Sequence, residues 1–122
     1  MPEYLLYFNQ QWVGEHTEEW FRGRVKPSVA VTEEMKAAGV YIYAGGLVEE
    51  SDPTFTVSHA VPVGDDVNAT LVDGPYAETT EVLGGFAVVK VPDEATAQYW
   101  AAKIAVGCGW THEIREIKSM PD

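Results

Sequence analysis

The chain is short of cysteine, of basic residues and of long apolar runs, and each shortage closes off a class of protein. Cys108 is the single cysteine among 122 residues, so no disulfide forms within the chain, which fits a reducing compartment. Eight lysines and arginines stand against nineteen acidic residues, a formal net charge of -11. Nucleic acids and anionic membranes need basic surface, so neither is expected as a partner. No stretch approaches the ~20 apolar residues of a transmembrane helix. Met1-Pro2-Glu3-Tyr4 lacks the basic region and apolar core of a secretory signal, so a cytoplasmic location is expected. His16, His59 and His112 are the three histidines; no His-x-x-x-His spacing occurs, and no metal site is expected. Repeats and low-complexity tracts are also absent, and the length suits one domain, 1–122, with a modest core.

What the chain does have is clear secondary-structure punctuation. Tyr4 to Phe8 reads as a strand. Thr17 suits a helix N-cap, with Glu18 and Glu19 favourable against the helix dipole. Gly23 and Pro27 are expected to interrupt this helix, Pro27 starting a second helical piece. Val31, Met35 and Ala38 then form a core stripe that also takes in Ser28, and Gly39 ends it. Val40 to Leu47 reads as a strand. Phe55, Val57, His59 and Val61 alternate with Thr56, Ser58 and Ala60, which places His59 with the apolar set. That run and Asn68 to Val72 read as a hairpin about Gly64-Asp65-Asp66. Phe86 to Val91 is the most apolar strand. Asp93 caps a second helix with a buried stripe of Ala97, Trp100, Ala101 and Ile104, Gly107 to Gly109 end it, and Thr111 to Ile117 closes the chain. This order predicts an α+β, ferredoxin-like split βαβ sandwich with an inserted β-hairpin. Helices cover one sheet face; the Tyr, Trp and Val residues of the other call for a second subunit, hence a homodimer.

The densest signal is the run from Val72 to Phe86. Asp73-Gly74-Pro75 is turn chemistry, in which Asp73 either bonds its own turn or stands as a rigid carboxylate beside a pocket. Ala77 to Leu83 suits a short helical turn with Glu78 and Glu81 on one face, either solvated or facing a ligand. Gly84-Gly85 permits a helix C-cap or a close backbone approach.

Asp-Gly-Pro-Tyr, then Ala-Glu-Thr-Thr-Glu, a hydrophobic pair and Gly-Gly resembles the signature of the DGPF-type branch of the YCII-related family, with Thr80 where a Lys is usual. Tyr4 to Phe8, Glu33 to Val40, Glu94 to Ile104 and His112 to Ile117 resemble other segments of that family, so the resemblance covers nearly the whole chain. It implies a dimeric α+β barrel with a pocket between sheet and helix. In the YCII-proper branch a His on the first helix pairs with an Asp near the second. Here Ser28 takes the His position and the helical segment after Trp100 has no Asp, so that dyad does not carry over.

Two functional expectations result. One is a cofactor-independent lyase or isomerase that moves a proton on a small molecule. Asp73 would be its base or orienter and His16, in a loop after the first strand, its partner. Tyr76, Glu78, Ser28, His59 and Trp12 are the candidate ligand contacts. His16 and His59 equally suit an exposed loop residue and an interface histidine, and Trp12 suits a core aromatic. The other expectation, implied by the resemblance, is a non-catalytic ligand-binding or regulatory protein associated with an extracytoplasmic-function sigma factor. Cys108 suits a small buried apolar residue better than a nucleophile, since nothing local lowers its pKa. Arg22, Arg24 and Lys26 read as a solvated helix end.

Overall fold

Tyr4 and Leu6 alternate with Leu5 and Tyr7, and that period-two pattern decides which sheet face the helices cover. In the structure, a computed structural model describing residues 1–48, 54–76 and 80–120, Tyr4 and Leu6 are buried against the helices. The elements are β1 (Glu3–Asn9), a short 3-10 turn (Gln10–Trp12), α1 (Glu18–Ala37), β2 (Tyr41–Gly46), β3 (Phe55–Val63), β4 (Asp66–Asp73), β5 (Leu83–Lys90), α2 (Glu94–Cys108) and β6 (Glu113–Glu116). Four strands form an antiparallel sheet in the order β2-β5-β1-β6, and β3 and β4 pair separately as a hairpin. The fold is therefore α+β and ferredoxin-like, with the hairpin inserted between β2 and β5.

The core lies between the sheet and the two helices. Leu6, Val89 and Val91 from the strand layer meet Met35 of α1 and Ala97, Trp100, Ala101 and Ile104 of α2. Both helices start on side-chain caps. Thr17 Oγ1 accepts from the Trp20 amide at 3.1 Å, and Asp93 Oδ1 accepts from the Thr96 amide at 2.8 Å. Gly39 (φ +74°) follows α1 and Gly109 (φ +99°) caps α2 in the left-handed region. The opposite sheet face carries Leu5, Tyr7, Tyr43, Phe86 and Val88, cross-strand neighbours by register. Tyr43 there is 58% exposed.

Three expectations are corrected. Pro27 does not start a second helical piece: α1 runs unbroken from Glu18 to Ala37. The lost N–H leaves the Gly23 carbonyl without its helical donor. Continuity is held by packing, since Gly107 of α2 sits so close that a Cβ there would fall 3.0 Å from Val31 Cγ2 and 3.1 Å from the Pro27 carbonyl oxygen. Ala38, counted in the stripe, is the exposed C-cap.

The third correction is in β3. Ser58 pairs with Thr70 but Val61 with Asn68, so one extra residue is inserted on β3, with His59 at φ +51°. This bulge reverses the alternation beyond it. Val61 falls on the face opposite Phe55 and Val57, and His59 is exposed rather than set among apolar neighbours. No described residue of the hairpin is buried.

A proline in a helix interior costs ~3 kcal/mol relative to alanine, against at most ~1 kcal/mol gained by restricting the unfolded chain. Pro27→Ala should therefore raise unfolding free energy by about 2 kcal/mol in urea melts. A destabilised variant would mean that the proline ring supplies packing that outweighs the restored hydrogen bond.

Candidate functional site

The described residues line a half-open cavity of about 230 Å³ between α1 and the helix-facing side of the sheet. Its walls are mainly apolar: Leu6 and Phe8 of β1, Val31 and Met35 of α1, and Ile104 of α2. Four lining side chains carry a hydroxyl, thiol or imidazole: Ser28, Thr32, Cys108 and His112. Among the described residues no carboxylate, lysine or arginine lines it.

The shape of this cavity depends on the double glycine. The Phe8 ring lies across the backbone of β5: a Cβ on Gly84 would fall 2.7 Å from Phe8 Cε2, and one on Gly85 2.8 Å from Phe8 Cε1. Close approach is thus the reason for Gly84-Gly85, not a helix cap. The residues just before them are extended: Val82 donates from its amide to Gln11 Oε1 at 2.9 Å and accepts from the Gln10 amide at 2.8 Å. The helical turn expected over Ala77 to Leu83 is absent from residues 80–83, and its first three residues lie outside the described residues. Phe8 then meets Trp110 and His112 edge-on, with ring centroids 5.1 and 5.2 Å away.

His112 lies just ahead of β6, in register opposite Phe8 when the β1–β6 ladder is extended by one pair. Its Nδ1 is 3.0 Å from the Trp110 carbonyl oxygen. A carbonyl only accepts, so Nδ1 carries the proton in the neutral ring and Nε2 is left as an acceptor. Burial holds the His112 pKa below its ordinary value, opposed in part by the bond to Trp110. Burial also pushes the Cys108 thiol up, against a smaller downward pull from Arg24. The cavity therefore presents a neutral imidazole and an un-ionised thiol at neutral pH.

Of the candidate catalytic and ligand-contact residues that the structure describes, Ser28 alone lines this cavity. His16 stacks on Trp20 at 3.5 Å between centroids, and its Nε2 meets the Val13 carbonyl oxygen at 2.8 Å. It lines a shallow groove with Glu15, Thr17 and Trp20. Asp73 ends β4, exposed, and no hydrogen bond joins it to His16 among the described residues. Its turn is held by backbone: Gly74 donates to the Thr54 carbonyl oxygen at 2.6 Å, and Thr56 Oγ1 donates to that of Gly74 at 2.7 Å. Tyr76 is 83% exposed, and Glu78 lies outside the described residues. His59 is exposed on the hairpin. Trp12 donates from Nε1 to Glu81 Oε1 at 3.0 Å and lies 6.2 Å from the Tyr7 ring, which faces away from the helices.

Sequence reasoning passed over His112. A usable signal existed: His112 and Ile114 share one face of a strand by period two, and Ile114 packs against the core. A comparison with protein-family models matches residues 15–121 to the YCII-related domain. No curated protein matches the chain.

His112 also couples the cavity to pH. Its folded pKa lies below the ordinary value of 6.5, so its stabilising contribution is complete above pH 6.5 and is lost as pH falls through the lowered folded value. Urea melts from about pH 8 to about pH 5 should show a steeper acid-side loss in the wild type than in His112→Gln. Parallel profiles would place the ionisation of this ring outside the folding equilibrium.

Proposed function

Since the chain belongs to the YCII-related family, we propose that it binds a small, largely apolar molecule in the cavity between α1 and the sheet, where His112 acts as a neutral base. The carrying observation is one ring, fixed through Nδ1 by Trp110 and kept neutral by burial, in an apolar chamber. A lone imidazole in that state serves proton transfer, the chemistry of isomerases and lyases that need no cofactor. The Asp73-Gly74-Pro75 to Gly84-Gly85 run supports placement in the DGPF-type branch. The Ser28 hydroxyl, where the other branch carries its histidine, becomes a ligand contact. Asp73 lies outside the cavity, at the open end of the hairpin opposite Phe55.

Benzene is a suitable first probe, because an apolar cavity of about 150 Å³ accommodates it. It should shift the methyl resonances of Met35, Val31 and Ile104 saturably, and Ala44→Leu, which fills the chamber, should abolish the effect. Unchanged methyl resonances would remove the binding reading. For turnover, His112→Gln should lose activity toward any substrate the wild type converts, with the cavity still binding benzene. Full activity in that variant would remove His112 as the base; a wild type that binds but converts nothing would be a binding protein, the reading favoured by the lack of a carboxylate on the cavity wall among the described residues.

The same proposal includes a homodimer. A lone two-stranded hairpin is marginal in water, yet β3 and β4 expose Val57, Val67 and Leu71 along one face. The sheet face bearing Tyr7, Tyr43 and Phe86 is likewise uncovered. A second copy that lays these faces together satisfies both at once. Sedimentation should give twice the chain mass for the wild type and the single-chain mass for Leu71→Asp; a monomeric wild type would overturn it.

A further inference from the structure

We infer that the cavity selects a neutral molecule, about the size of a substituted single ring, that donates a hydrogen bond through a phenol-type or enol hydroxyl, and that it turns away acceptor-only groups such as ketones and carboxylates. The inference rests on the cavity being the binding site, and it assigns the polarity of the contact.

The argument is an inventory of hydrogens. Ser28 Oγ donates to the Val25 carbonyl oxygen at 2.9 Å. Thr32 Oγ1 donates to the Ser28 carbonyl oxygen at 3.1 Å. His112 Nδ1 donates to the Trp110 carbonyl oxygen at 3.0 Å. In each pair the carbonyl can only accept, so the hydrogen belongs to the side chain. What these three groups keep for a ligand is lone pairs: two hydroxyl oxygens and the imidazole Nε2. Among the described residues, the one uncommitted side-chain hydrogen on the wall is the Cys108 thiol, a weak donor.

A ligand hydroxyl therefore gains a bond without breaking one. Beyond the weak bond the Cys108 thiol can offer, a ligand carbonyl gains a bond only if Ser28 or Thr32 turns its hydrogen away from a backbone oxygen, and otherwise buries its lone pairs poorly paired. A carboxylate fares worse, because no cation among the described residues lines the cavity and the chain carries a net charge of -11. Size follows from volume: about 150 Å³ holds benzene, and the cavity of about 230 Å³ leaves room for substituents.

The experiment titrates the full chain with phenol, anisole, acetophenone and benzoate, followed at the Met35, Val31 and Ile104 methyl resonances. Phenol should bind about tenfold or more tightly than anisole and acetophenone, with benzoate weakest. In His112→Phe the phenol-to-anisole ratio should fall toward one, and in Ser28→Ala, the milder change, it should narrow. Acetophenone or benzoate binding as tightly as phenol overturns the donor assignment while leaving the cavity reading in place. So does a phenol-to-anisole ratio unchanged in both variants. If none of the four perturbs these methyls, the cavity reading itself fails.

Discussion

The Phe8 ring resting on the Gly84–Gly85 backbone is the contact on which the rest of the site depends. Two consecutive residues without side chains let an aromatic ring lie where a Cβ would come within 3 Å of it. That ring becomes a wall of the cavity and the surface against which Trp110 and His112 turn their edges. With the ring in place, the Trp110 carbonyl fixes the tautomer of His112. A motif that looks like loop punctuation is thus a packing device two strands away from the residue it serves. The order of causes runs from glycine to phenylalanine to histidine.

The helices cover one face of the sheet, and this one-sidedness shapes everything outside the cavity. Polar partners gather toward the uncovered side: Tyr7 donates to Glu113 at 2.7 Å, and Trp12 and Asn9 both donate to Glu81. The phenol of Tyr7 is held above its ordinary pKa, first by that bond to Glu113. These contacts fasten the first turn and the last strand to the sheet without burying its apolar surface. The hairpin shows the same economy, with backbone pairing well formed and side chains left outward.

Local chemistry was legible in the sequence, and long-range packing was not. Thr17 and Asp93 announce their helices because a cap is decided by the residues within one turn of it. Ala97, Trp100, Ala101 and Ile104 announce their burial because the helical period is regular. Pro27 misleads because its effect on α1 is set by Gly107, eighty positions away. His59 misleads because a single inserted residue changes which face every later side chain takes, and alternation alone cannot reveal it. Asp73 attracts attention as an isolated acid in a rigid turn, yet the cavity is built on the other side of the chain's middle, around a histidine that only the register of β1 with β6 brings opposite Phe8. Ser28 was legible as a position and not as a hydrogen-bond polarity, since that depends on where its own hydrogen goes.

The unbroken passage of α1 through Pro27 has a mechanical side. A helix that lacks one rung of its ladder bends most readily there, and the missing rung lies between Gly23 and Pro27. The cavity wall contributed by α1 starts at the very next residue, Ser28. Beyond it, Val31 and Met35 are clamped in the core; before it, Thr17 caps the helix and Trp20 and Arg24 lie against Gly109 at the end of α2. The missing rung and the rim of the cavity share one address in the chain, so a bend at that helix turn would displace the rim first, and the close packing of Gly107 on Pro27 is what opposes it.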